Sequence, residues 1–332
     1  MDQVTALSIP RDRKTSGIVA IAWLFLVCAA DTIWAQGQQK GDGSLRVEYQ
    51  YIRTGNFHDD VGEFDYWTTD SHIALLSGNY ALSDRWSLQA TLPYVQKRFN
   101  PGELYNGDPH NPNDPWWINF VPPDKRFIDD GNYHGGIQDL SISLMYQALE
   151  GPLTVAPYIG YGFPATDYPF YAKAAIGLNL WNIPVGVNLT FIPSFSDWYF
   201  NGNVAYVFSE QPLDVNVDYW LGYFSAGYWF KPRFSMNVFL SVKYVRDGLV
   251  MPWDFTDDPT YSNFPEGFDT PEWWQHDRLV AHRFANIGFG FDYSVSEHYQ
   301  LSGTYFTGVW VEQTNEVDHA FTLALTRYFG AD

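Results

Sequence analysis

Ala320-Phe321-Thr322-Leu323-Ala324-Leu325-Thr326-Arg327-Tyr328-Phe329 sets Phe321, Leu323, Leu325 and Phe329 on one face and Ala320, Thr322, Ala324, Thr326 and Tyr328 on the other. Successive side chains of a strand point to opposite sides of a sheet, so this alternation builds a strand with one greasy face. Only Arg327 interrupts that face, near its end. Segments of roughly ten residues with the same alternation recur from Leu45 to Phe329, bounded by aromatic residues and joined by short turns. In hydrocarbon every backbone N–H and C=O must be paired within the protein, and strands achieve this only in a closed sheet. The pattern predicts an all-β fold, a transmembrane antiparallel up-and-down β-barrel.

The start of the chain reads differently. Arg11, Arg13 and Lys14 precede an apolar run from Ile18 to Ala30, followed by Ile33-Trp34-Ala35 and a polar stretch from Gln36, the layout of a secretory signal peptide cleaved after Ala35. The run falls short of the ~20 residues a helix needs to cross a bilayer. The expected organisation is a leader over residues 1–35 and one barrel domain over 36–332. Cys28, the only cysteine, lies in the leader, so the exported chain folds without disulfides. No long apolar segment remains beyond it, which excludes a helical inner-membrane transporter. The formal net charge of −19 opposes binding to nucleic acid. Aromatic residues make up 19% of the chain, as expected where Trp and Tyr belts sit at two membrane interfaces.

Strands are expected over Ser44–Thr54, Trp67–Leu82 and, across the turn Ser83-Asp84-Arg85, from Trp86 onward, with Leu88, Leu92 and Tyr94 outward and Ser87, Gln89 and Thr91 inward. Asp139–Gln147 and a strand from Glu150-Gly151-Pro152 through Tyr158 form another hairpin. Further strands are expected at about 171–181 and 185–193, flanking Asn182-Ile183-Pro184, and two or three between Trp198 and Phe230. Lys231-Pro232-Arg233 opens a strand with Met236, Val238, Leu240, Val242 and Tyr244 outward; Leu279–Ser294, Tyr299–Val311 and His319–Phe329 complete the wall. The raw tally is thirteen. Bacterial single-chain barrels have an even strand number, so about twelve are expected, with the surplus placed near residues 209–220. The segments Asn100–His134 and Asp247–Asp277 are rich in turn residues and read as two long extracellular loops, with short turns facing the periplasm. A soluble two-layer sandwich would also alternate, but the leader, the aromatic content and the long hairpins favour a barrel.

Leu82-Ser83-Asp84-Arg85-Trp86-Ser87-Leu88, with Leu92-Pro93-Tyr94, and Gly135-Gly136-Ile137-Gln138-Asp139-Leu140-Ser141-Ile142-Ser143-Leu144-Met145-Tyr146 resemble the outer-membrane transporter family of the meta-pathway of phenol degradation. That family is related in architecture to fatty-acid and aromatic-hydrocarbon outer-membrane channels. The resemblance implies an outer-membrane channel for small, often hydrophobic or aromatic compounds.

Arg46, Glu48, Asp139, Lys243 and Asp292 fall on polar strand faces and should point into the lumen, where mixed charges would define a constriction or cross-link the wall. The loop Asp247–Asp277 holds eight acidic residues, no Lys or Arg, and the aromatics Trp253, Phe255, Trp273 and Trp274; the other long loop holds Trp116, Trp117 and Phe120. Each such ring left in water forgoes roughly 1.5–3 kcal/mol available on burial, so these loops should fold over the mouth, either as an aromatic funnel that captures apolar solutes or as a structural lid or a contact with lipopolysaccharide. Asp254, Asp257 and Asp258 match no defined calcium loop, and no metal is assigned. His72, His134, His276 and His282 accompany no nucleophile signature, so the chain is not read as an enzyme. The expected function is passive uptake through the bacterial outer membrane, without a cofactor. The expected partners are the small hydrophobic or aromatic solute, outer-membrane lipid and lipopolysaccharide, and the barrel-assembly machinery during biogenesis. The alternative is a non-transporting surface barrel whose plugged lumen serves a structural or partner-binding role.

Overall fold

The computed structural model describes residues 38–64, 67–101, 128–251 and 275–330. The expected leader and the seven loop aromatics named above lie outside these residues.

Twelve wall strands form one antiparallel sheet in chain order. They are β1 (Gly43–His58), β2 (Trp67–Ala81), β3 (Trp86–Pro101), β4 (in two segments, His134–Ile137 and Asp139–Tyr146), β5 (Leu153–Pro164), β6 (Asn182–Phe191), β7 (Trp198–Ser209), β8 (Tyr219–Lys231), β9 (Phe234–Val245), β10 (Arg283–Ser294), β11 (Tyr299–Glu312) and β12 (Thr314–Phe329). The barrel closes where β12 pairs with β1, in unbroken register from Gly43↔Phe329 to Arg53↔His319. Among the described residues no helix is long and apolar enough to cross a membrane.

Burial follows the two-residue period. Along β12, Ala320, Ala324 and Thr326 are at most 2% exposed, whereas Leu323 is 51% exposed. The outward side chains form an apolar belt that includes Val47, Leu76, Leu144, Ile159, Phe224, Val238 and Phe289. At the short-turn end it is edged by rings such as Trp86 against Tyr146 and Trp198 against Tyr228. At the long-loop end an outward polar knot marks its limit: Asp70 accepts hydrogen bonds from Tyr51 (2.8 Å), Arg98 (2.7 Å) and Asn100 (2.9 Å). Between these edges β1 runs from Gly43 to Tyr51, close to the ~9–11 residues a tilted strand needs to cross.

The break in β4 has a local cause. Pro93 points its carbonyl at β4, where Gln138 N donates to it at 3.0 Å, but proline has no N–H to return. The ladder lapses there and Gln138 bulges, its side chain turning into the lumen to donate to Ile176 O at 2.6 Å.

The count of twelve holds, but the surplus strand is elsewhere than expected. Residues 171–181 are not wall: they form no ladder and enter the lumen, with Tyr171 through Ile176, Leu178 and Leu180 buried on both parities. Ala, Ile and Leu at alternate positions satisfy a strand pattern, yet Ala175 and Gly177 between them are small enough for the segment to be surrounded by protein. Asn182-Ile183-Pro184 is therefore the start of β6, paired with β7, rather than a turn. The stretch 198–230 holds two strands, joined by a connection with a single 3-10 turn at Pro212–Asp214. Leu279 ends a four-residue helix, α1 (His276–Leu279), and the wall resumes at Arg283.

Substituting an outward residue near mid-belt should cost most. Leu323→Arg is expected to destabilise the barrel by roughly 2–4 kcal/mol, while Arg327→Ala, at the belt edge, changes little; urea unfolding in lipid vesicles measures both.

Candidate functional site: a plugged lumen with two cavities

Residues 165–181 connect β5 to β6 and fold inward as a plug. Tyr168 and Ile176 pack against Ile52, Ile73, Val95, Val317 and Ala320, the inward side chains of β1, β2, β3 and β12. Each fully buried apolar side chain of this kind contributes about 1.5–3 kcal/mol. A second contact sets Ala175, Leu178 and Leu180 against Val217 of the β7–β8 connection.

Polar bonds hold the plug backbone, which has no ladder of its own. Asp129 accepts from Lys173 N (3.0 Å) and Ala174 N (2.7 Å). Arg278 of α1 donates to Leu178 O (2.8 Å) and to Asn179 O. The Tyr168 hydroxyl donates to Asp139 and accepts from Asn179 N (3.0 Å). Beneath the mouth four charged side chains are almost fully buried: Lys97, Asp129, Lys173 and Asp277. The Lys173 ammonium lies 4.4 Å from the Trp67 ring centroid and 5.7 Å from that of Phe99. Burial pushes the Asp277 carboxyl well above the usual carboxylate range against the pull of Lys173 and Lys97, and it raises Asp129 in the same way. Burial lowers Lys173, with Asp129 and Asp277 opposing. Two acids and two bases thus offset one another where each alone would be costly.

Among the described residues, two cavities lie inside the barrel wall. One, of about 220 Å³, is bordered by Gln89, Gln138, Asp139, Tyr158, Asn188, Asn203, Tyr219 and Lys243. The other, of about 90 Å³, is bordered by Arg46, Glu48, Phe239, Phe284, Asn286 and Phe306. Tyr223 borders both and stands between them, its ring 5.7 Å from that of Phe239.

The five charged lumen residues read from the strand pattern all point inward, but they do not meet in one ring. Asp139 and Lys243 share the larger cavity, and Lys243 Nζ sits 4.4 Å from the Tyr219 ring centroid. Arg46 and Glu48 are bonded to each other, with Arg46 Nε and Nη2 at 2.9 and 2.8 Å from Glu48 Oε2, in the smaller one. Asp292 borders neither and accepts from Gln300 and Ser302, both at 2.8 Å. The buried quartet and Tyr223 were not among the residues singled out. Lys97 was readable: it lies on the same parity of β3 as the inward Gln89 and Thr91.

No protein-family model and no curated protein matches the sequence. Among solved structures, an outer membrane channel from Pseudomonas putida F1 superposes with a TM-score of 0.64 over 89% of this chain and 98% of its own, at 13% identity. The fold is that of a bacterial outer-membrane channel. The monoaromatic hydrocarbon channel CymD is matched with a TM-score of 0.41 at 12% identity over 89% of this chain and 90% of its own. The P. putida toluene transporter TodX gives 0.39 at 8% identity, over 87% and 90%. The apolar belt and this fold place the protein in the outer membrane.

Two substitutions test the mouth and the partition. Asp129→Ala removes the acceptor of Lys173 N and Ala174 N and one member of the buried quartet, a loss of about 3–5 kcal/mol for a broken buried pair. Single-channel conductance in planar bilayers should rise and become noisier, while heat-modifiable migration of the barrel stays unchanged. Tyr223→Ala joins the two cavities and is expected to raise conductance further when combined with Asp129→Ala. Conductance indistinguishable from the parent in the double variant would contradict the assignment of these groups as the obstruction.

Proposed function

We propose that the protein is a passive outer-membrane channel for small hydrophobic or aromatic compounds, with the long-loop end facing outside. The observation that carries this reading is the larger cavity. A barrel serving only as scaffold gains by filling such space, since interiors pack densely. Instead the rings of Tyr158, Tyr219 and Tyr223 stand beside the amides of Gln89, Asn188 and Asn203. That lining suits an aromatic ring bearing a polar substituent: the ring lies on tyrosine faces and the substituent meets amides. The resemblance of the segments 82–94 and 135–146 to the phenol-pathway transporters points to the same solute class.

In this reading the solute is gathered at the mouth, where Trp116, Trp117, Phe120, Trp253, Phe255, Trp273 and Trp274 supply apolar rings. It passes as the plug shifts, and Lys243, Asp139 and the Arg46–Glu48 pair orient its polar end. Diffusion down a gradient drives it, with no nucleotide or redox group. Outer-membrane lipid and lipopolysaccharide cover the belt, and the barrel-assembly machinery inserts the chain.

A second reading, a non-transporting barrel with a permanent plug, draws on the side-chain bonds and apolar contacts that seat residues 165–181 in the lumen. Proteoliposome swelling with phenolic, fatty-acid and sugar solutes separates the two. The proposal expects the fastest flux for the phenolic solutes; flux no greater than in protein-free liposomes for every solute leaves the permanent plug.

A further inference from the structure

The long-loop rim carries a group of side chains that the permeation path does not use. β1 continues above the belt into a short hairpin, where His58 pairs with Glu63 on one side and with Thr314 of β12 on the other. Glu316 follows two residues along β12, and its Oε2 lies 3.3 Å from His58 Nε2. One donor atom from each of His58, Glu63 and Glu316 lies within 4.8 Å of the other two. Three chain segments held in register therefore bring an imidazole nitrogen and two carboxylates to one point.

The spacing is that of a metal's ligands. Neighbouring ligand atoms in a tetrahedral zinc site with bonds of about 2.0–2.1 Å are about 3.3–3.4 Å apart. His58 and Glu316 already stand at this separation, and Glu63, exposed on the hairpin, closes the remainder by side-chain rotation. Asn56 Nδ2 donates to Glu63 Oε1, which orients that carboxylate and leaves its second oxygen for an ion.

We propose that His58, Glu63 and Glu316 form a binding site for a divalent transition-metal ion of the Zn²⁺ type, with water completing the tetrahedron. The donor set selects the ion. Calcium takes six to eight oxygen ligands, and magnesium demands near-octahedral oxygen geometry, so one imidazole with two carboxylates serves both poorly. Asp59 and Asp60 follow His58 in sequence and add to the negative potential that draws a cation to the rim. The ion would also brace the mouth. Asp60 N donates to Met251 O at 3.3 Å, and the Gln313 side chain accepts from Met251 N (2.7 Å) and donates to Met251 O (3.1 Å). Binding thus ties the first hairpin to the last, beside Met251.

The test uses the full barrel without a histidine tag, in detergent micelles. Equilibrium dialysis against Zn²⁺ in excess Ca²⁺ and Mg²⁺, with metal counted by mass spectrometry, is expected to give one zinc per chain. His58→Ala and Glu63→Gln should each weaken binding at least about tenfold. Glu63 lies on the hairpin outside the wall, so its variant keeps the barrel intact, as heat-modifiable migration will verify. His298→Ala, in the turn at the opposite end, should bind as the parent does. X-ray absorption of the zinc form should show a first shell of nitrogen and oxygen only, near 2.0 Å. Absence of bound zinc, or a stoichiometric zinc that survives both rim substitutions, overturns the proposal.

Discussion

Backbone hydrogen bonding in hydrocarbon governs the whole molecule. A strand that crosses the bilayer has no water to satisfy its N–H and C=O groups, so each needs a neighbour, and the last strand must return to the first. The β1–β12 seam meets that requirement from Gly43↔Phe329 up to Arg53↔His319. The even strand count and the sorting of side chains into an apolar outside and a polar inside follow from it. Where the requirement lapses, the sequence supplies a local substitute: Pro93 cannot donate, and Gln138 bulges across from it.

Closing twelve strands creates an interior that wall side chains alone do not fill. The β5–β6 connection descends into it, and a descending loop brings unpaired backbone groups with it. Asp129, Arg278, Gln138 and Tyr168 bond those groups one by one, while Ile176 and Tyr168 supply the apolar contact. This is a different kind of stability from that of the wall. The wall is held by a continuous ladder, whereas the plug hangs on a few side-chain bonds and a balanced set of buried charges. An element of that sort is suited to move while the barrel around it stays closed.

Much of the site was legible because parity is. Once Ser87, Gln89 and Thr91 are known to face inward, Lys97 must as well, and the same rule placed Arg46, Glu48, Asp139, Lys243 and Asp292 in the lumen. Parity fails when a segment leaves the wall. Ala172, Ala174, Ile176, Leu178 and Leu180 alternate as a lipid-facing strand would, yet they are buried within the barrel. Nothing in a local pattern distinguishes lipid from the inside of a protein, since both are apolar. Nor does parity along separate strands show which inward charges meet. Arg46 and Glu48 bond within one strand, Asp139 and Lys243 come from strands far apart in sequence to share a cavity, and Asp292 stays with Gln300 and Ser302.

The sequence by itself determined the wall: alternating side chains are a property of each strand alone, and the absence of water in the bilayer leaves a closed sheet as the outcome. It also determined which charges of the wall strands face the lumen. Only the tertiary structure decided that residues 171–181 plug the barrel, that Tyr223 divides the interior, and that His58, Glu63 and Glu316 converge at the rim. The physical reason is range. A strand's two faces are set by neighbouring residues, whereas the filling of the lumen and the meeting of groups from the first and last hairpins depend on barrel closure and on the register in which distant strands pair.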